Sequence, residues 1–269
     1  MRHGKPAVSS ESIPASWQHA DPLLFSGVWV ATAAASLSAA AERSMGLRHG
    51  LLVPALAFLG TLAIYGLDRL RDLERDRGSA PLRSAFVARH RRALAGIAIA
   101  AGAGATLLAL RAGPRALALV SGVAALGIAH RRLKRIAALK PVYLTGSWLV
   151  VTVGLPAAVQ PGAAHLGWVA AVVGAALLSN VVASNLRDGE ALAARFGERR
   201  ALRVARGMAL LGVACAALAP PAVRPLGAVP LAMGIALLAF RRSERYGLGA
   251  VDGALVAGAA VAMLSGSGF

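Results

Sequence analysis

The sequence predicts an all-α, polytopic membrane protein with about nine transmembrane helices. Hydrophobic residues make up 57% of its 269 residues, and the mean hydropathy is +0.62. Stretches of roughly 18 or more residues with few charges recur along the chain, and a helix of that length crosses a bilayer. The short alternating segments typical of a membrane barrel are missing from the sequence.

The loops between the predicted spans alternate between strongly and weakly basic. The strongly basic loops, 69–92, 131–140, 187–206 and 241–245, each follow an even-numbered span. Because Lys and Arg collect on the cytoplasmic side of a membrane, the N-terminus is predicted inside and the C-terminus outside. The nine predicted spans are 22–42, 50–68, 93–111, 114–130, 141–160, 165–184, 203–221, 225–241 and 247–265.

Residues 1–20 are polar and predict a disordered cytoplasmic tail, followed by one transmembrane domain over 21–269. The predicted location is the inner (plasma) membrane of a bacterium. The net charge of +17 would suggest nucleic acid in a soluble protein, but here the basic residues lie in loops. The expected partners are therefore membrane lipids and phosphorylated substrates, not nucleic acid. The sequence does not indicate an oligomeric state.

Three carboxylates, Asp68, Asp72 and Asp76, follow the second apolar run at four-residue spacing. On a helix they lie on one face, one turn apart, where they would repel each other without a positive group among them. Such acids can hold Mg²⁺, which shares its coordination with substrate phosphates. The alternative is a solvated helix end in which neighbouring arginines pair with the acids at three-residue spacing: Arg69, Arg71, Arg75 and Arg77.

Three basic residues are candidate contacts for a diphosphate: Arg83, Lys134 and Lys140. Their alternative is the ordinary excess of positive charge on the cytoplasmic side. Pro156 falls inside the fifth span and predicts a kink or break there.

A second polar segment, 179–200, follows the sixth apolar run. Asn180 lies within a predicted span, where a polar side chain is costly and indicates either a functional site or an interhelical hydrogen bond. Asn185, Asp188 and Glu190 form a weaker acidic cluster with Arg187 among them. By contrast, Asp252 was predicted to have only a structural role, pairing with nearby arginines: Arg241, Arg242 and Arg245.

With these segments, the chain resembles the UbiA superfamily of intramembrane prenyltransferases. LDRLRDLERD (67–76) looks like the first Asp-rich motif of that family, and the APLR that follows looks like the stretch after it. HRRLKRIAALKPVYLTGSW is similar to the basic segment after the fourth helix, and NLRDGE looks like the start of the second Asp-rich motif. The second motif is shortened, because Glu190 is followed at once by Ala191 and Leu192.

The resemblance implies helices arranged around a central cavity, and transfer of an isoprenyl group from its diphosphate to a lipophilic, usually aromatic, acceptor with Mg²⁺ as cofactor. The acids Asp68, Asp72, Asp76 and Asp188 would be the catalytic groups, and they would hold the metal with Asn185 and Glu190. The diphosphate would contact Arg83, Lys134, Lys140, Asn180, Asn185 and Arg187.

Two other functions stay open. The shortened second motif favours a catalytically impaired relative that binds isoprenoids or assists assembly. A transporter is the third hypothesis, but charges inside the predicted spans are almost absent, whereas coupling ions and polar substrates usually need them.

Overall fold

The computed structural model describes residues 20–133, 140–188 and 192–265, without the side chains of 128–133, 188 and 192. Every regular element in these ranges is a helix, which confirms the all-α prediction. Lys134, Glu190 and nearly all of the predicted tail (residues 1–19) lie outside the described residues.

The part of the first half that the structure describes, residues 20–133, forms six helices. They are α1 (Asp21–Ser26), α2 (Val28–Ser44), α3 (Leu52–Asp76), α4 (Pro81–Arg89), α5 (Arg91–Ala112) and α6 (Pro114–Leu133). The second half contains eight more, with single π-helical turns at Val150–Gly154 and Gly247–Val251 and a 3₁₀ turn at Arg224–Gly227. They are α7 (Lys140–Leu149), α8 (Leu155–Val159), α9 (Leu166–Asp188), α10 (Leu192–Phe196), α11 (Glu198–Leu218), α12 (Ala228–Leu238), α13 (Glu244–Tyr246) and α14 (Asp252–Ser265).

Among the described residues, six helical segments are long and apolar enough to cross a membrane, as judged by length and composition, and they indicate an integral membrane protein. They are Leu52–Asp76, Arg91–Ala112, Lys140–Val159, Leu166–Arg187, Glu198–Leu218 and Glu244–Ser265. The other three predicted spans correspond to shorter helices, namely α2 and the segments Pro114–Gly127 and Arg224–Leu238. A count of nine spans therefore stays a prediction.

The first predicted span is divided at Gly27. This residue has a φ of +94°, in the left-handed region that favours glycine, so it ends α1 and begins α2 in a new direction. Arg69 of α3 holds the break in place, because its Nη1 donates a hydrogen bond to the carbonyl oxygen of Phe25 at 2.5 Å.

The fifth predicted span continues past Pro156 as one helical segment, with a π-helical turn at Val150–Gly154 directly before the proline. Proline has no N–H and its ring crowds the preceding turn of a helix. One widened turn relieves that crowding without ending the segment, so the kink or break predicted at Pro156 corresponds to a π-helical turn within a continuous segment.

The largest core joins α2, α9, α11, α12 and α14 through alanine, valine, leucine and methionine side chains. Small residues let the backbones approach closely at two places in it. A Cβ on Gly258 of α14 would lie 2.5 Å from the Cα of Val229, and one on Gly212 of α11 would lie 2.7 Å from the Cβ of Pro230. These contacts are the small-residue packing that is common between membrane helices.

At the end of α2, a buried carboxylate ties two connecting segments together. Gln160 donates from Nε2 to Glu42 Oε1 at 3.1 Å and to the carbonyl oxygen of Arg48 at 3.0 Å. Its Oε1 accepts from the backbone N–H of Arg48 at 2.8 Å. The segments after α2 and α8 are therefore joined at this end of the molecule.

Candidate functional site

One cavity of about 270 Å³ brings together side chains from both polar segments of the sequence. Eight of the eleven predicted site residues line it: Asp68, Asp72, Asp76, Arg83, Lys140, Asn180, Asn185 and Arg187. Of the other three, Asp188 is the last residue of α9 and its side chain is not described, while Lys134 and Glu190 lie outside the described residues. Residues more than 100 positions apart in the chain, such as Asp68 and Asn185, thus line the same cavity.

The remaining walls of the cavity are mostly apolar. They come from α3, α6, α7, α9 and the turn before α14, with Leu56, Ile64, Val123, Leu144 and Val181 among the lining side chains. The cavity therefore has a group of charged residues and a long apolar surface next to it, a combination that suits an amphiphilic ligand.

The three carboxylates Asp68, Asp72 and Asp76, here called the acid stripe, lie on the last three turns of α3, as their four-residue spacing predicts. Arg75 is the main positive group beside it, with its Nη2 at 3.0 Å from Asp72 Oδ2 and 3.6 Å from Asp76 Oδ1. Arg83 Nη2 lies at 2.9 Å from Asp76 Oδ2. The arginine pairing considered from the sequence therefore occurs, with Arg75 half-exposed and Arg83 largely buried at the wall of the cavity.

The other arginines of that segment do not all face the stripe. Arg69 is 8% exposed, bonds the Phe25 carbonyl and lies with its guanidinium carbon 6.0 Å from the ring centre of Tyr65. Arg77 pairs with Glu74 at 3.1 Å on the surface. Arg69 thus anchors α1 to α3 and also lines the cavity.

The carboxylates fit a magnesium ion only if a ligand completes its coordination. Within the described ranges, no group of three or more His, Cys, Asp or Glu is placed so as to hold a metal ion. Mg²⁺ in phosphate-binding sites, however, takes one or two carboxylates and fills its octahedron with water and phosphate oxygens. Asp72 and Asp76 can supply such carboxylates, because both line the cavity. Their partners in the structure include the side chains of Arg75 and Arg83.

Asn185 supplies a buried donor in the wall formed by α9. It is 4% exposed, and its Nδ2 makes no hydrogen bond in the structure. A buried amide N–H₂ without an acceptor is costly, so an acceptor oxygen of a ligand would stabilise it. Arg187, two residues further along α9, packs against Gly247, where a Cβ would approach its Cδ to 2.9 Å.

Asn180 makes the interhelical hydrogen bond that was the alternative to a functional role. Its Nδ2 donates to Asp252 Oδ1 at 2.9 Å and lies 3.4 Å from the carbonyl oxygen of Val251. The pair joins α9 to the beginning of α14 and lines the cavity.

Two of the arginines near Asp252 in the sequence pair with other acids. Arg245 forms a forked pair with Asp21, with both N–O distances at 2.8 Å, and Arg242 pairs with Glu198. Asp252 instead is 8% exposed, faces the cavity and accepts from Asn180. The signal that could have identified it is a carboxylate at the beginning of an apolar span, which indicates function in a membrane protein.

Glu244 is the second residue that sequence reasoning missed. Its Oε1 and Oε2 accept hydrogen bonds at 2.9 Å from the backbone N–H groups of Leu82 and Arg83. These N–H groups belong to the first turn of α4, where backbone donors have no partner within the helix. The N-cap residue, Ala80, has no side chain that could accept from them. Glu244 therefore caps the helix that carries Arg83.

Comparisons with known proteins leave this site without a template. No family model matches the chain, and neither a curated protein nor a solved structure matches it.

Proposed function

We propose that the chain is an intramembrane prenyltransferase of the UbiA type, with nine transmembrane helices around a central cavity. It would transfer an isoprenyl group from a polyprenyl diphosphate to a lipophilic acceptor. One observation carries the proposal: the acid stripe, the cations Arg83, Lys140 and Arg187, and a long apolar wall line the same cavity. An isoprenyl diphosphate has the same division, with a highly charged head and an apolar tail.

The charged residues would hold the diphosphate. Lys140 and Arg187 would neutralise its negative charge, and Arg83 would exchange part of its contact with Asp76 for a phosphate oxygen. The Nδ2 of Asn185 would donate to another oxygen and gain the acceptor it lacks. Each of these contacts would favour release of the diphosphate as a leaving group, since negative charge accumulates on it.

Mg²⁺, when bound with the substrate, would supply further stabilisation of the departing diphosphate. Asp68, Asp72 and Asp76 would hold it, with Asp188, Asn185 and Glu190 as the proposed second set. Meanwhile the apolar side chains of α3, α6 and α7 would bind the isoprenyl tail and exclude water from the reacting carbon.

The proposed orientation puts the charged end of the cavity on the cytoplasmic side, with the N-terminus inside and the C-terminus outside, in a bacterial inner membrane. It is supported by the arginine-rich loops after the even-numbered predicted spans. Water-soluble diphosphate heads would then enter from the cytoplasm while the tail stays in the bilayer.

A second candidate function is isoprenoid binding without turnover. It is favoured by the ion pairs that occupy Asp72 and Asp76, and by the lack of a three-acid metal cluster within the described ranges. Such a protein would bind the diphosphate through its cations and show little dependence on Mg²⁺.

Radiolabelled farnesyl and geranylgeranyl diphosphate distinguish the two candidates. We expect the purified protein to release diphosphate in the presence of Mg²⁺ and an aromatic acceptor, and to lose this activity in EDTA. Asp72→Asn should lower turnover by at least about tenfold, because an amide is a poor Mg²⁺ ligand. Glu74→Gln, which changes an exposed carboxylate on the same helix, is the matched control.

Binding without release, and without a Mg²⁺ requirement, would favour the binding protein. If neither farnesyl nor geranylgeranyl diphosphate binds, both candidates fail. Unchanged turnover in Asp72→Asn would remove the acid stripe from the proposed metal site.

A further inference from the structure

Asp252 is a carboxylate inside the cavity that belongs to neither Asp-rich segment. It is the first residue of α14, directly after the π-helical turn Gly247–Val251, and lies within the apolar segment Glu244–Ser265. Its exposed fraction is only 8%. An ionisable side chain within a membrane-spanning segment is costly, so its presence there indicates a functional role.

The surroundings of Asp252 differ from those of the acid stripe. Asn180 donates to its Oδ1 at 2.9 Å, and Leu248, four residues before it, packs in one apolar cluster with Tyr65 and Trp148. Tyr65 in turn accepts a hydrogen bond of 3.3 Å from Trp148 Nε1, and the two rings meet edge to face with centroids 6.2 Å apart. All of these side chains line the cavity.

This combination selects against a second phosphate group. A carboxylate repels a phosphate, and the neighbouring aromatic rings offer an apolar contact surface. A neutral group with a hydroxyl or N–H can instead donate a hydrogen bond to the carboxylate, and bonds of that kind are stronger than those between neutral partners.

We propose that Asp252, with Asn180, Tyr65 and Trp148, forms the binding site for the acceptor, and that the acceptor is an aromatic or other lipophilic molecule with a hydroxyl or N–H donor. Asn180 holds the carboxylate in position, Asp252 accepts the hydrogen bond of the acceptor, and the Tyr65–Trp148 pair contacts its apolar body. The name acceptor for this occupant rests on the proposed prenyl transfer, whereas the preference for a hydrogen-bond donor does not.

Two probes of nearly equal shape test the preference: 2-naphthol, which donates a hydrogen bond, and its methyl ether, which does not. Binding to the full-length protein in liposomes is measured by equilibrium dialysis, with protein-free liposomes to subtract partition into the lipid. We expect the wild type to bind 2-naphthol about tenfold more tightly than the ether, as a hydrogen bond to a charged group contributes.

Asp252→Asn should reduce that ratio to about threefold or less, and Asp252→Leu should abolish it. Glu198→Gln is the matched change of a carboxylate outside the cavity and should keep the wild-type ratio. A wild-type protein without the preference, or an Asp252→Asn protein that retains it in full, would overturn the inference. The wild-type comparison decides even if the Asp252 variants fail to fold.

Binding of geranyl diphosphate to the same samples separates this inference from the proposed function. We expect Asp252→Asn to leave that affinity within about twofold of the wild type, since Asp252 is not itself a proposed diphosphate contact and an asparagine there can still accept from Asn180. A wild type that distinguishes the naphthyl probes but does not bind geranyl diphosphate would overturn the prenyltransferase proposal and keep the donor-binding site. A strong loss of geranyl diphosphate affinity in Asp252→Asn would overturn a separate acceptor site.

Discussion

Gly258 is the residue at which the packing of the helices leaves the least space. A Cβ there would lie 2.5 Å from the Cα of Val229 and 2.8 Å from the carbonyl oxygen of Ala228, both of them backbone atoms of α12. Backbone cannot turn aside as a side chain can, so α14 would have to move away from α12. We expect Gly258→Ala to destabilise the protein by about 1–3 kcal/mol, the usual cost of overpacking a core.

Gly207→Ala is the matched control for Gly258→Ala. Gly207 lies within α11, and nothing is within 4 Å of the Cβ it would gain. Alanine favours a helix over glycine by up to about 1 kcal/mol, so this change should be neutral or slightly stabilising. The midpoint of thermal unfolding in one detergent compares the two variants. Equal midpoints would show that α14 and α12 pack less tightly than the structure has them.

At the level of single residues, the sequence predicted the acid stripe but missed Asp252. Asp68, Asp72 and Asp76 are close in the chain, so the helical period alone places them on one face. The role of Asp252 depends on Asn180, which is 72 residues away, and on how the π-helical turn Gly247–Val251 packs against α9. Its nearness to arginines in the sequence pointed to the wrong partners, because Arg242 and Arg245 pair with acids of other segments.

At the level of elements, α4 depends on a cap that another part of the chain supplies. The helix has nine residues, too few to be stable in isolation, and Glu244 accepts from its first-turn N–H groups. The negative charge of the Glu244 carboxylate is also stabilised by the positive, N-terminal end of the helix dipole. Because α4 carries Arg83, Glu244 of α13 helps to position one of the proposed diphosphate contacts.

We expect Glu244→Ala to fray the first turn of α4. Loss of a helix cap typically costs about 0.5–2 kcal/mol, so hydrogen exchange of the amides near Leu82 and Arg83 should become about tenfold faster. The affinity for geranyl diphosphate should fall as well, since Arg83 loses its fixed position. Hydrogen exchange followed by mass spectrometry measures the first effect and equilibrium dialysis the second.

Two variants separate this cap from a general loss of stability. Glu244→Gln retains a carbonyl oxygen as one acceptor and should lie between Glu244→Ala and the wild type. Glu198→Ala removes an exposed carboxylate that pairs with Arg242 and should leave exchange in α4 unchanged. Wild-type exchange in Glu244→Ala would contradict the cap, whatever the effect on diphosphate binding.

The elements themselves were predictable to different degrees. Six of the predicted spans correspond to helices that are long and apolar enough to cross a membrane, because length and hydropathy are local properties. The break at Gly27 was not predicted, since glycine is compatible with many backbone conformations. Pro156 predicted a kink or break, but not that it would take the form of a π-helical turn before the proline. The cap of α4 joins residues more than 160 positions apart, and no local pattern reports such a contact.

At the level of the whole molecule, the beginning and the end of the described chain are joined by one ion pair. Arg245 donates from Nε and Nη2 to the two carboxylate oxygens of Asp21, each at 2.8 Å, across 224 positions of sequence. The side chains are only 11% and 22% exposed. A forked pair with little solvent is the geometry in which an ion pair contributes most to stability.

A double-mutant cycle measures this contribution. We expect Asp21→Asn and Arg245→Gln each to lower the free energy of unfolding, and the double variant to lose less than the sum, with a coupling of about 1 kcal/mol. Denaturant titration in a fixed detergent gives the four free energies. The same cycle on Glu198 and Arg242, which are 55% and 47% exposed, should give a coupling near zero because solvent screens that pair. Equal coupling in the two cycles would mean that burial does not strengthen the Asp21–Arg245 pair, and that α1 is held to this part of the chain by its apolar contacts with Leu248 instead.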